Sequence, residues 1–278
     1  MSDVHGELTG KVALVTGATQ AMGEAIARRL ACDGAAVLCV GRSAERGSAV
    51  AARLRADGLN ADFCAADVGR EEQVAHAVDA AIHRFGALDI VVNNAASLDA
   101  SNPESPVHLE STETFDSIMK VNLYGPFWFA KYATAAMMSA GRGGVFVNIS
   151  SYSAQRGVAG IPAYTASKGA LEALTRQIAV DYAGHGIRAN TLVLGSISVP
   201  RNAVLHDNEA MSDALRGARM VHRVGRPDDV AAAVAFLASA AGEYITGTTL
   251  NIDGGLLAKA PVTRVAQERL AAAGTSRG

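Results

Sequence analysis

A doubly wound α/β fold, with one seven-stranded parallel sheet covered by helices on both faces, is the class this sequence predicts, and three observations carry the prediction. Seven short apolar runs recur along the 278 residues, at 12–16, 36–40, 61–65, 88–92, 145–150, 187–193 and 248–252. They lack the polar/apolar alternation of half-exposed strands, as expected of strands buried on both faces. Helical patterns lie between them, at 24–33, 44–57, 71–85, 113–140, 163–183 and 228–238, and strand–helix alternation of this kind builds a parallel sheet. The rhythm runs without a linker, repeat or low-complexity tract, so the chain reads as a single domain. Its core is expected at about 8–257, with a tail at 258–278.

Taken in order, the strand ends carry the informative residues. The first strand runs out into Thr16-Gly17-Ala18-Thr19-Gln20-Ala21-Met22-Gly23 and straight into a helix. A tight glycine turn before a helix N-terminus presents backbone N–H groups to a pyrophosphate. Strand–helix turns want glycine whatever they bind, so position matters more: this turn opens the first unit, where a Rossmann-type dinucleotide fold has it. Gly17, Thr19, Gln20, Met22 and Gly23 are the candidate contacts. The second strand ends in Val40-Gly41-Arg42-Ser43. A carboxylate here would bond a ribose 2′-hydroxyl and select NAD. Gly41 has no side chain, and an arginine at the next position can neutralise a 2′-phosphate, which favours NADP(H) with NAD as second choice. The plainer alternative is that Arg42 opens the next helix in solvent.

At the third strand's end, Asp67-Val68 suits either an adenine edge or the cap of the helix that follows. The fourth strand ends Asn93-Asn94-Ala95-Ala96, and two adjacent amides there suit sheet bracing or ligand contact. In the long helical pattern, Asn122 interrupts an apolar face; a lone helix asparagine is usually a kink or a satisfied core amide. The fifth strand leads into Ser150-Ser151 and a helix holding Tyr164 and Lys168, four apart and therefore on one face. An ammonium beside a phenol favours the phenolate, which lets a tyrosine exchange protons near neutral pH. Such pairs often merely decorate a solvated face, but this chain has only five lysines, so one beside a tyrosine is less casual.

Net charge is −2, which gives no basic field for nucleic acid or an anionic membrane. Hydrophobic residues make up 49% and charged ones 19%, the balance of a buried globular chain rather than a disordered one. Cys32, Cys39 and Cys64 lack metal or redox spacing and read as buried thiols in a reducing compartment. None of the seven histidines has metal spacing, so no metal is expected. Residues 1–10 are short, polar and acidic, unlike a signal peptide, and no apolar run approaches membrane-spanning length. A cytoplasmic protein is the expectation.

Together these pieces resemble the short-chain dehydrogenase/reductase family over about residues 8–257. The family's turn Thr-Gly-x-x-x-Gly-x-Gly is similar to Thr16 to Gly23, and its Asp-Val, Asn-Asn-Ala-Gly, Ser and Tyr-x-x-x-Lys signatures match Asp67-Val68, Asn93 to Ala96, Ser151 and Tyr164 to Lys168. The thirteen-residue step from Ser151 to Tyr164 is the family's usual one, and the closing Tyr244 to Gly255 resembles its ending. The resemblance implies a ketone–alcohol oxidoreductase in which Tyr164 is the general acid/base and Lys168 lowers its pKa and holds the nicotinamide ribose. Ser151 polarises the substrate carbonyl, and Asn122 supports a water and proton path to the lysine. The implied cofactor set is Gly17, Thr19, Gln20, Met22, Gly23, Arg42, Ser43, Asp67, Val68, Asn93, Ala95, Tyr164, Lys168 and Ile197; Ser151 and Tyr164 would bind substrate.

The chain departs from the family at four points. Ala21 replaces the middle glycine of the turn, Ala96 the last glycine of its signature, Leu194 a proline, and Val199 a threonine that meets the nicotinamide amide. The substrate pocket is expected from 97–106, 152–161 and the segment 196–226. The resemblance further implies a homo-oligomer, tetramer or dimer, paired through the Asn122 and Tyr164 helices. One alternative substrate is a carrier-bound 3-oxoacyl thioester, with Arg156, Arg201 and Arg223 as its basic patch. Another reading is an NADP-binding sensor without turnover, although such proteins usually lose the Tyr or the Lys.

Overall fold

A computed structural model describes residues 6–98, 105–200 and 217–259. Seven strands form one parallel sheet: β1 (Val12–Thr16), β2 (Ala36–Gly41), β3 (Ala61–Ala65), β4 (Ile90–Asn93), β5 (Gly144–Ser151), β6 (Ile187–Leu194) and β7 (Thr249–Ile252). Their order across the sheet is β3-β2-β1-β4-β5-β6-β7, and every neighbouring pair runs parallel. This is the doubly wound, Rossmann-type sheet that the sequence predicts. All seven strands therefore release their chain at one edge, and the loops carrying the candidate residues collect there.

The helices are α1 (Ala21–Cys32), α2 (Ala44–Ala56), α3 (Glu71–Phe85), α4 (Thr112–Met119), α5 (Gly125–Ala140), α6 (Pro162–Asp181) and α7 (Pro227–Ala238). Successive strand residues point to opposite faces, so the core divides in two. Ala13, Val15, Val37, Cys39, Val145 and Val147 pack against α1, α2 and α7. Leu14, Leu38, Val40, Val91 and Phe146 pack against α3, α5 and α6. Local signals set the ends. The Ser43 side chain caps α2 by accepting the Arg46 N–H, and Gly86 and Gly141 close α3 and α5 in the left-handed conformation.

One expectation needs correcting. The pattern at 113–140 reads as a single helix, but the chain widens into a π turn over Lys120–Tyr124 between α4 and α5. Pro126 explains the break, since it carries no N–H to bond the Asn122 carbonyl in the α-helical pattern. The Gly125 N–H reaches back to the Lys120 carbonyl instead.

A polar row crosses the otherwise apolar layer beneath α6. Asn93 Nδ2 donates to Asn148 Oδ1 at 2.8 Å, and Asn148 Nδ2 donates to Thr175 Oγ1 at 2.8 Å. Thr191 Oγ1 donates to the same Thr175 oxygen at 2.9 Å, and Thr175 passes its own proton to the Leu171 carbonyl at 2.8 Å. Asn148 is fully buried. Asn148→Ala strips the Asn93 amide of its acceptor and leaves a gap, so it should cost about 1–3 kcal/mol of stability. Urea denaturation reads this directly; an unchanged midpoint would show that the row is not needed for stability.

Candidate active site

The strand order reverses between β1 and β4, and a crevice opens at such a switch point outside the carboxyl ends of the strands. The loops on either side are clamped together. Thr16 Oγ1 accepts the N–H of Asn94 at 2.9 Å and of Ala95 at 3.0 Å, while Asn94 Nδ2 donates to the Thr16 carbonyl at 2.8 Å. Gly17 sits at φ +66°, where a Cβ would stand 2.9 Å from Asn94 Nδ2. A Cβ on Gly23 would stand 2.1 Å from the Gly17 carbonyl oxygen, so glycine is what lets α1 start against the strand end. Gln20 gives α1 no side-chain cap. The first-turn N–H groups of α1 thus remain for an anion, and the turn fits the pyrophosphate of a nicotinamide dinucleotide.

At the end of β2, a Cβ on Gly41 would meet Thr19 Cγ2 at 2.5 Å, so a carboxylate side chain at this point does not fit without moving Thr19. Arg42 is exposed, and among the described residues its guanidinium has no hydrogen bond or ion pair. Sequence reasoning missed a second cation: the first turn of α2 brings Arg46 Nη1 to within 3.4 Å of Gln20 Oε1, beside the glycine turn. Only the i+4 spacing from Arg42 signalled it. Asp67 accepts the Gly69 N–H at 2.9 Å, and its own N–H donates to Gln73 Oε1 at 2.7 Å. It closes the turn ahead of α3 rather than capping that helix, which begins after Arg70. Val68 is buried, with its carbonyl packed so close to Gly125 that a Cβ there would stand 2.8 Å away.

Tyr164 and Lys168 lie on the first turns of α6, facing the end of β5. The Lys168 side chain is buried, with Nζ donating to the Ile149 carbonyl at 2.7 Å and standing 5.6 Å from the centre of the Tyr164 ring. Ser151 ends β5, half-buried, and its Oγ accepts from Ser153. Asn122 is fully buried in the π turn. Its side chain donates to the Ser97 carbonyl at 2.9 Å and to Ser167 Oγ at 3.1 Å, and accepts the Ser97 N–H at 2.7 Å. Ser167 in turn donates to the Tyr164 carbonyl at 2.7 Å. The asparagine thus ties the loop after β4 to the tyrosine's own helix, so the structure brings Asn122, Ser151, Tyr164 and Lys168 to one end of the sheet.

Other expected residues stand differently. The Asn93 side chain is buried within the sheet and bonded to Asn148, so any cofactor contact there is left to its backbone. Ile197 packs its side chain into the α1/α7 core and pairs with Gly225 as an isolated bridge, which likewise leaves only its main chain. Of the arginines proposed for a basic patch, Arg156 donates to the Leu257 carbonyl and Arg223 forms a two-point ion pair with Asp229. Arg201 and His206 lie outside the described residues, as do His5, 99–104 and 260–278. His76, His83, His108, His185 and His222 are exposed. Burial pushes the Cys39 thiol up to about 12, so this cysteine stays protonated and inert. Among the described residues, no helix is long and apolar enough to cross a membrane.

Comparison with known proteins adds four findings. The family model described as enoyl-(acyl carrier protein) reductase matches residues 17–257. The 4-formylbenzenesulfonate dehydrogenase of Comamonas testosteroni is 40% identical over 251 residues, covering 89% of this chain and 98% of that one. Glucose 1-dehydrogenase 2 of Bacillus subtilis is 34% identical over 254 residues, covering 91% and 97%. Among solved structures, a gluconate 5-dehydrogenase from Burkholderia cenocepacia, in complex with NADP and tartrate, superposes with a TM-score of 0.85 at 36% identity. That match covers 91% of this chain and 97% of the other.

Ala21 stands at φ +47°, the one non-glycine residue with positive φ among those described. The left-handed region costs a residue with a Cβ roughly 1–2 kcal/mol, whereas Gly adopts it freely at an unfolded-state entropy cost of about 0.4–1 kcal/mol. Ala21→Gly should therefore hold or raise stability by up to about 1.6 kcal/mol, the reverse of the loss expected in an ordinary helical turn. A urea midpoint that falls by the ordinary helical amount would show that the turn relaxes around the methyl.

Proposed function

The chain belongs to the short-chain dehydrogenase/reductase family and is an NAD(P)-dependent oxidoreductase of alcohols and ketones, and from that premise we propose an NADP(H)-preferring enzyme that interconverts a ketone and a secondary alcohol, with Tyr164 as its general acid/base. The observation that carries the reading is the buried Lys168 ammonium beside the Tyr164 ring, held by the Ile149 carbonyl. Positive charge at that distance stabilises the phenolate more than the phenol. Tyr164 can then give a proton to a carbonyl oxygen in reduction and take it back in oxidation. The nicotinamide, when bound, supplies or accepts the hydride. Ser151, at the end of β5, donates to the same substrate oxygen and stabilises the charge that develops there. Because Pro126 offers the Asn122 carbonyl no N–H, a water at that carbonyl would relay protons toward Lys168.

The preference for NADP(H) rests on the 2′ end. A carboxylate in place of Gly41 would have to displace the Thr19 side chain, and Arg42 and Arg46 supply two cations beside the turn. Of the basic patch that the carrier-protein alternative would use, Arg156 and Arg223 are engaged within the chain. Tyr124 at the end of the π turn, Phe127 in the first turn of α5 and Val180 near the end of α6 are exposed, which fits association into a homo-oligomer through these helices.

Two measurements test the proposal. Tyr164→Phe should lower turnover by about 100-fold or more, the scale of general acid/base catalysis, while NADPH titration shows binding retained. Turnover is followed by NADPH absorbance against sugar-acid ketones, cyclic hydroxysteroid ketones and aromatic aldehydes; wild-type rates in the variant would remove Tyr164 from its role. Arg42→Ala should weaken NADPH by about tenfold, the value of a charge-assisted hydrogen bond, and leave NADH unchanged. A wild-type enzyme that prefers NADH would refute the reading of Arg42.

A further inference from the structure

Ser151 does not face the site alone. Where β5 ends, the backbone enters a single 3₁₀ turn over Tyr152–Ala154, and Ser151 is its N-cap. The Ser153 N–H donates to Ser151 Oγ at 3.2 Å, and the Ser153 hydroxyl stands 3.1 Å from the same oxygen. Ser153 is 1% exposed, and among the described residues its hydroxyl has no other partner. A buried hydroxyl gives its proton to the acceptor within reach, and here that acceptor is Ser151 Oγ.

A hydroxyl oxygen has two lone pairs and one proton. With both lone pairs of Ser151 taken by donors from Ser153, Ser151 has only its proton left to offer. We propose that Ser153 is a positioning residue for the reaction: it fills the acceptor sites of Ser151 and so commits the Ser151 hydroxyl to donating toward the substrate oxygen. This rests on the reading of Ser151 as the group that bonds that oxygen. A hydroxyl that accepts two hydrogen bonds is also polarised into a better donor. The gain is largest when the substrate oxygen carries most negative charge, so it appears in the transition state and not in substrate binding. The two serines are two residues apart and the turn is closed by its own cap, so no distant element is needed to hold the arrangement.

The test is a double-mutant cycle on the full-length chain, with Ser151→Ala, Ser153→Ala and the pair. NADPH oxidation is read against the best-turned-over carbonyl of the panel above. Ser153→Ala should lower kcat about tenfold while the substrate KM and the NADPH Kd hold. In the Ser151→Ala background the same change should add nothing, because the effect passes through Ser151. Hydrogen exchange gives a readout apart from turnover: the 150–155 backbone should exchange faster in Ser151→Ala, which removes the acceptor of the Ser153 N–H. Equal losses in both backgrounds, a loss in KM instead of kcat, or no loss at all would overturn the role of Ser153 alone. A Ser151→Ala variant with full turnover would remove the underlying reading of Ser151, and the proposal with it.

Discussion

A buried ammonium is the constraint around which the functional end of this protein is arranged. Lys168 is 2% exposed, and a charge removed from water must be met by polar groups fixed in advance. The Ile149 carbonyl is one such group, and reaching it requires α6 to lie hard against the end of β5. The contacts that hold it there recur along one face of the helix. Ser150 Oγ lies 3.3 Å from the Lys168 carbonyl and 3.2 Å from Glu172 Oε1, and Asn148 bonds Thr175 one turn further on. Positions 164, 168, 172 and 175 form a single stripe at helical spacing. A helix packed on a sheet normally turns an apolar stripe to it; α6 does so with Ala163, Leu171, Ile178 and Ala179, and runs a polar stripe beside them that places a tyrosine and a charge.

That stripe also explains what the sequence made legible and what it hid. The Tyr164–Lys168 spacing, the thirteen-residue step from Ser151 and the glycine turn are short-range patterns, and short-range geometry is what spacing encodes. The strand ends were equally readable, because a parallel sheet releases all its chain at one edge. The partners of the stripe were not. Asn148 sits inside an apolar run and resembles an isolated polar residue until β4 and α6 are laid beside it. Asn93 and Asn94 were recognised as alternatives of bracing and contact, yet adjacent strand residues face opposite ways and periodicity cannot say which faces α6. The structure turns Asn93 toward Asn148 and Asn94 toward Thr16. The π turn escaped for a different reason: its periodicity reads as one helix, and only the missing N–H of Pro126 marks the break.

The cofactor end follows a stricter logic than the chemical end. Gly17 and Gly23 are required by contact, since a Cβ at either would enter the space of Asn94 or of the Gly17 carbonyl. At position 21 the constraint that the backbone shows is conformational. No backbone atom needs to pass through the place where its methyl sits, but its φ lies where a Cβ is disfavoured. Contact admits no compromise, whereas conformational strain of this size can be offset by the rest of the fold. An alanine at position 21 is therefore tolerated where one at position 23 would force α1 off the strand.

The wall formed by the 217–225 segment is built differently again. A cavity of about 380 Å³ is lined by Ser196, Ile197, Arg219, Met220, Val221 and Gly254, among others. The 217–225 segment is joined to the sheet end by backbone bonds, with the Met220 and Val221 N–H groups meeting the Gly254 carbonyl at 2.8 and 2.9 Å. The residues of β5 and α6 are fixed by side-chain identity, so they vary only at the expense of the buried charge they serve. Those of the 217–225 segment combine main-chain bonds to Gly254 with the Arg223–Asp229 ion pair, so its exposed positions can change while the path of the chain is kept. On the proposed reading, one proton-transfer apparatus thus serves different carbonyl compounds, because the wall that selects the substrate and the stripe that holds Lys168 are held by different kinds of bond.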